Sequence, residues 1–178
     1  MKIKYNFRFS KLEMNSMYIK WKINNEVKNI SLEEFENEYE SFYGFMSIQL
    51  GGFQLGYLDD GNPFDEGDED ISYYINSLIE CGITLLLGQI YKIQLLGSNL
   101  LEIQVHRYIN VNIKVVHIKT KEVLCSYDMT FDELIAEIKE NYKKYIMDIR
   151  EMNSVLLNSK TVGWTVKYYE ILMKLLNE

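Results

Sequence analysis

Residues 108–134 read YINVNIKVVHIKTKEVLCSYDMTFDEL, and this stretch decides the fold. A strand with one buried face is predicted over 108–118, because apolar and polar side chains alternate there at Ile109, Val111, Ile113 and Val115. A turn at 119–121 leads to a further strand at 122–128. Thr130 and Glu133 then form a capping box, which is typical of the start of a helix. The stretch therefore predicts antiparallel strands followed directly by a helix.

The C-terminal part of the chain is predicted to be helical. A stripe of apolar side chains from Phe131 to Met152 has helical spacing, which predicts one long amphipathic helix. After a loop at 153–160, the apolar residues between Trp164 and Leu175 predict a closing helix that can pack beside the long one.

Strands are also predicted upstream of this stretch. The segments 89–96 and 100–106, joined by a turn at 97–99, complete a group of four antiparallel strands. Alternating apolar residues predict two more strands, at 2–9 and 17–23. Antiparallel strand meanders are therefore predicted both at the N-terminus and in the middle of the chain.

The first helix is predicted just after the second of these N-terminal strands. Asn24–Asn25 tolerates positive φ, which favours a tight hairpin into a short strand at 26–30. Ser31 and Glu34 have capping-box spacing, and the apolar residues that follow predict a helix over 32–43. This helix carries five glutamates, so we expect it to be acidic.

An extended segment, an acidic loop and a second helix are predicted next. The stretch 45–57 alternates apolar and polar residues and is expected to bend at Gly51–Gly52. The loop 59–70 is rich in Asp, Gly and Asn, and its last acids are expected to cap a helix. That helix should end near Gly82, although residues 83–87 could extend it.

These patterns together predict an α+β fold. It consists of antiparallel strand meanders with an acidic helix in the N-terminal half and two packed C-terminal helices. The length of 178 residues and the apolar content of 47% suit a single domain over 1–178. Two sub-lobes, 1–58 and 71–178, joined by the acidic loop 59–70, are the alternative.

The charge distribution is strongly polarised along the sequence. Residues 29–91 contain thirteen acids and no Lys or Arg, whereas the rest of the chain carries a net charge of +6. The net charge of −7 for the whole chain hides this asymmetry. The acids fall mainly in two clusters, with five glutamates in 33–40 and seven acids in 59–70. An acidic surface of one sign favours a basic partner, because it raises the association rate.

Composition also excludes several classes of protein. The N-terminal residues lack the apolar core of a secretory signal, and no run approaches the ~20 apolar residues of a membrane span. Cys81 and Cys125 are isolated in apolar surroundings, which favours free thiols in a reducing compartment. We therefore expect a cytoplasmic protein. Nucleic acid and anionic lipid are not expected as ligands, because both require clustered Lys and Arg.

No catalytic or cofactor motif is recognisable. His106 and His117 both fall in predicted strands, far from a cluster of ligands or a nucleophile. Gly51 and Gly56 have the spacing of a phosphate-binding loop but lack the Lys and Ser/Thr that should follow. The loop 59–70 does not match the ligand order of an EF-hand, so a non-standard cation site is only an alternative. We expect no enzymatic activity, no cofactor and no metal.

The two acidic clusters are the candidate binding surface. Tyr43, Tyr57 and Phe64 lie close to the acids in sequence and can supply the aromatic anchors that carry binding energy. The predicted partner-binding residues are Glu33, Glu36, Glu40, Tyr57, Asp59, Asp60, Phe64, Asp65, Glu66, Asp68, Glu69 and Asp70.

In its layout the chain resembles the small acidic immunity proteins that bacteria encode beside polymorphic or contact-dependent toxins. The shared layout comprises an N-terminal strand pair, an acidic middle section, a strand meander, and the capped helix from Thr130 followed by a last helix. The resemblance implies a protein that binds and neutralises a cognate toxin domain, such as a nuclease, without performing chemistry. The alternative is a structural or adaptor domain whose acids only aid solubility. The sequence leaves the oligomeric state, monomer or homodimer, open.

Overall fold

The computed structural model describes residues 17–56, 67–94 and 100–177. Three of the predicted features lie outside these residues: the strand at 2–9, the turn at 97–99 and most of the acidic loop. In the described part, antiparallel sheets and helices form an α+β fold, as the sequence predicts.

The first sheet contains strands β1 (Met17–Ile23), β2 (Tyr43–Leu50), β3 (Phe53–Gly56) and β4 (Glu69–Asp70). Strand β2 is central: β1 pairs along one edge, while β3 and β4 pair with its two ends on the other. Gly51 has a φ of 56° and lies in the two-residue turn between β2 and β3. The double glycine thus makes a hairpin turn, which needs this positive φ, rather than a bend within one strand.

The second sheet is a four-stranded antiparallel meander in chain order. It contains β5 (Tyr91–Gln94), β6 (Leu101–Arg107), β7 (Val111–His117) and β8 (Val123–Met129). This confirms the four strands predicted there, each within a few residues. Among the described residues, the strand groups of the two halves therefore form two separate sheets.

Three long helices accompany the sheets: α2 (Ile71–Leu86), α3 (Phe131–Asn153) and α4 (Lys160–Leu175). Helix α2 runs beyond Gly82, as residues 83–87 allow. Helix α4 packs most extensively against α2 and touches α3 where the rings of Tyr142 and Tyr169 stack at 3.8 Å. None of the described helices is both long and apolar enough to cross a membrane.

The core is formed by apolar side chains from both sheets and all three helices. Phe42 lies at its centre, fully buried, with ring centroids 4.6 Å from Phe35 and 5.9 Å from Tyr145. This region also contains a buried polar group, the Ser72 hydroxyl. It accepts hydrogen bonds from the Phe42 amide and the Tyr145 hydroxyl, each at 3.0 Å. This arrangement fixes the start of β2 against α2 and α3.

Two local predictions in the N-terminal half need correction. The predicted strand at 26–30 is a 3-10 helix, Asn25–Asn29, because β1 pairs with the distant β2 rather than with the residues that follow it. The predicted helix 32–43 is shorter. It consists of α1 (Leu32–Glu34) and a π-helix at Phe35–Tyr39, and it ends where Glu40 adopts a φ of 58°. Among the described residues, a second 3-10 helix, Ser154–Asn158, lies in the predicted loop before α4.

Candidate functional site: an acidic surface

The two acidic clusters meet in space at the start of β2. Tyr43 pairs with Asp70 and Gly44 pairs with Glu69 in the short β2–β4 ladder. The Ser41 hydroxyl donates a hydrogen bond of 2.6 Å to Asp70 Oδ1, and the Ile71 amide donates one of 2.8 Å to the Phe42 carbonyl. The end of the glutamate-rich segment and the end of the acidic loop are therefore neighbours.

A buried asparagine holds the end of the acidic loop in place. Asn24 Nδ2 donates to the Gly67 carbonyl at 2.7 Å, and the Gly67 amide donates to Asn24 Oδ1 at 2.9 Å. A Cβ atom on Gly67 would lie 2.3 Å from the backbone of Gly44, so only glycine allows the two backbones to approach this closely. This contact fixes the position of the chain just before β4, where Asp68 lies.

Tyr43 lies between the two clusters. Its side chain is 40% exposed. Burial first, and then the negative charges of Asp70 and Glu40, raise the pKa of the Tyr43 phenol. Both carboxylates therefore act on the same ring, and Tyr43 is an exposed aromatic side chain within the acidic surface.

Four acids of this region are exposed to solvent: Glu33, Glu38, Glu40 and Asp68. Within residues 17–56, 67–94 and 100–177, none of their side chains forms an ion pair, although the charge of Glu40 contributes to the raised pKa of Lys160. We call the surface formed by these four acids and Tyr43 the acidic surface. Its carboxylates present mainly negative charge to solvent.

Glu36 belongs to the fold rather than to the free surface. Its carboxylate pairs with Lys160 Nζ at 2.9 Å and also accepts a hydrogen bond of 2.6 Å from the Lys160 amide. The hydrogen bond to the Lys160 side chain is the main reason why the pKa of Glu36 is lowered. A carboxylate is also favourable at a helix N-terminus, here that of α4. Nearby, the Thr161 hydroxyl donates to the Glu40 carbonyl, so the acidic segment fixes the start of α4.

Glu69 and Asp70 are also partly engaged inside the fold. Asp70 is the N-cap of α2 and accepts a 2.9 Å hydrogen bond from the Tyr73 amide, as the sequence predicts for the last acids of the loop. Burial raises the pKa of Glu69, against a hydrogen bond from Tyr74, and Glu69 Oε2 has no hydrogen-bond partner among the described residues. The other predicted site residues, Tyr57, Asp59, Asp60, Phe64, Asp65 and Glu66, lie outside the described residues.

The thiols and imidazoles do not form a reactive group. Burial raises the pKa of the Cys81 thiol to about 12, which keeps it protonated and unreactive at neutral pH. His117 Nδ1 accepts a hydrogen bond of 3.2 Å from the Thr120 amide in the β7–β8 turn, and His106 stacks on Tyr108. In the part of the chain that the structure describes, no three metal-binding side chains come together.

An apolar cavity lies between the two sheets and α2. Its volume is about 60 Å³, and it is lined almost entirely by aliphatic and aromatic side chains. Among the described residues, no pair of carboxylates and no His lines it; the lining residues with polar atoms in their side chains are Tyr74, Ser77, Cys81 and Tyr91. It therefore has the character of imperfect core packing rather than of a site with converging catalytic groups.

Comparison with known proteins gives no match. No family model fits the sequence, and no curated protein or solved structure is significantly similar to the chain. The resemblance to immunity proteins therefore remains a prediction from the layout of the sequence.

Two residues that shape this surface, Asn24 and Lys160, were not predicted from the sequence. Tyr43, in contrast, was proposed as an aromatic anchor because it lies close to the acids in sequence. Asn24 looked like a turn residue, and nothing in the sequence connects it with Gly67. The pairing of Lys160 with Glu36 joins residues 124 positions apart, which charge composition alone does not show.

Proposed function

We propose that this chain is a non-enzymatic immunity protein that binds a basic toxin domain through its acidic surface and blocks it. The observation that carries the proposal is that the fold brings the ends of the two acidic clusters together. The β2–β4 pairing and the Ser41–Asp70 hydrogen bond bring together acids that lie about thirty residues apart in the sequence. Dispersed charges that served only solubility would not need to converge in this way.

Charge and an aromatic anchor are the two properties that suit the surface to binding. Glu33, Glu38 and Asp68 are exposed carboxylates, which would attract a basic partner over several ångströms and raise its association rate. Tyr43 supplies a large, partly exposed ring close to Glu40 and Asp70, and aromatic residues commonly carry most of the binding energy in an interface. A toxin such as a nuclease, whose substrate groove must be basic, fits both properties.

The proposal places the protein in the cytoplasm of a bacterium. Cys81 and Cys125 are free thiols, as a reducing compartment would keep them. The partner would be the product of a neighbouring gene, because the resemblance is to immunity proteins encoded beside their toxins.

The experiment is co-expression of the chain with the product of the adjacent gene. We expect the two proteins to copurify and the chain to rescue growth that the partner inhibits. The double substitution Glu33→Lys with Glu38→Lys should weaken both effects. The matched control is Glu122→Lys with Glu140→Lys, which reverses two exposed charges in the β7–β8 turn and on α3, outside the acidic surface. Equal effects of the two pairs on binding would contradict the proposal and favour a structural or adaptor domain.

A further inference from the structure

An exposed row of apolar side chains runs along helix α4. Trp164 is 54% exposed, Ile171 is 38% exposed and Leu175 is 41% exposed, and the half-buried Tyr168 lies between the first two. The intervals of four, three and four residues are those of the a and d positions of a coiled coil. We call these four residues the α4 row.

The α4 row is separate from the core-facing side of the same helix. Thr165 and Leu172 are fully buried, and Leu172 lies against α2, where a Cβ on Gly82 would be 3.2 Å from it. At 100° per residue, the α4 row is centred about 90° away from these two residues. The α4 row is therefore an exposed apolar surface of α4 that is distinct from the surface packed in the core.

Opposite charges flank the α4 row on its two sides. On one side lies α2, whose Glu80 forms a hydrogen bond with the Tyr168 hydroxyl and raises the pKa of Tyr168 mainly through its charge. On the other side helical spacing places Lys167 and Lys174, both exposed, and the Lys167 ammonium lies 4.9 Å from the Trp164 ring. The row is thus bordered by an acid on one side and by lysines on the other.

We propose that the α4 row is the interface of a two-fold dimer in which two copies of this chain pack their α4 helices in parallel. Heptad spacing is complementary to itself, so a second copy supplies the matching seam. A parallel two-fold axis places Lys167 of each copy opposite Glu80 of the other. An antiparallel arrangement would instead place the two rows of lysines against each other, which is unfavourable.

The dimer is expected to be weak. The α4 row is about 16 Å long, which is short for an obligate interface, so the dissociation constant should be on the order of micromolar. It involves none of the residues of the acidic surface. Its failure would therefore leave the proposed function untouched, and the reverse also holds.

Sedimentation equilibrium of the purified chain tests the proposal. Over a concentration range of about 1–200 μM, we expect the average mass to rise from that of one chain toward that of two. Ile171→Lys should weaken self-association at least about tenfold, since it buries an unpaired charge in the seam. The control Val155→Lys alters a side chain that is 50% exposed but lies outside the α4 row, and it should behave as the wild type. A monomer at every concentration, or equal effects of the two variants, would overturn the proposal.

Crosslinking tests the parallel orientation. In a parallel dimer the two copies of Leu175 face each other, so Leu175→Cys should form an intermolecular disulfide under mild oxidation with copper phenanthroline. The wild type, with Cys81 buried and Cys125 half-buried, is the control and should not crosslink. In an antiparallel dimer residue 175 would lie beside Trp164 of the second copy. A mass-verified dimer without crosslinking would therefore overturn the parallel arrangement.

Discussion

The substitution Asn24→Ala should loosen the acidic surface at the point where the loop joins the sheet. It removes two hydrogen bonds, of 2.7 and 2.9 Å, and leaves the Gly67 amide and carbonyl without their partner. Leaving a buried backbone group unsatisfied costs about 1–3 kcal/mol. Gly67 is half-exposed, so water can replace part of the loss, and we expect a decrease in the free energy of unfolding of about 2 kcal/mol.

Urea denaturation followed by far-UV circular dichroism measures this change. The matched control is Asn25→Ala, which alters the neighbouring asparagine, an exposed residue in the 3-10 helix. It should change the free energy of unfolding by less than about 0.5 kcal/mol. If Asn24→Ala had an effect as small as the control, the Asn24–Gly67 contact would not be what holds Asp68 and the following acids in place.

Three further substitutions test the core, a helix start and a buried acid. Phe42→Ala should lower the free energy of unfolding by about 3–5 kcal/mol in urea, because the ring is fully buried between Phe35 and Tyr145; a loss below ~1 kcal/mol would contradict this packing. Thr130→Ala should cost about 1 kcal/mol by removing the cap of α3, and Thr130→Ser should restore most of it in the same assay. Glu69→Gln should raise the melting temperature at neutral pH. The pKa of Glu69 is raised in the folded state, so above pH 4.5, the ordinary pKa of a glutamate, its ionised form opposes folding. The gain in melting temperature from Glu69→Gln should therefore vanish well below pH 4.5. Equal destabilisation of the Glu69→Gln variant at neutral pH and well below pH 4.5 would refute the raised pKa of Glu69.

Patterns that depend on neighbouring residues predicted the structure well. The alternation at Ile109–Val115 marks β7, and the Thr130–Glu133 capping box marks the start of α3, because both signals are complete within a few residues. Asp70 at the N-cap of α2 belongs to the same group. Each of these elements starts within a few residues of its predicted position.

Features set by distant contacts were not predictable in the same way. The segment 26–30 belongs to a 3-10 helix rather than to the second strand of a hairpin, and β1 pairs instead with β2, about twenty residues further on. The helix from Leu32 changes to π geometry and ends at Glu40, where Thr161 binds its carbonyl. Local propensity describes neither contact, since both join segments that are far apart in the sequence.

The acidic surface was predictable in composition but not in its arrangement. The absence of bases over residues 29–91 indicates an acidic region. Which acids stay free depends on the fold: Glu36 is neutralised by Lys160 and Asp70 caps α2, whereas Glu33 and Glu38 remain exposed.

The salt dependence of binding tests the central claim most directly. Isothermal titration calorimetry with the product of the neighbouring gene would give the dissociation constant at rising salt. If the acidic surface drives binding, affinity should fall steadily with salt, and the fall should be shallower for Glu33→Lys with Glu38→Lys than for the wild type. A dissociation constant that changes neither with salt nor with this charge reversal would contradict the account.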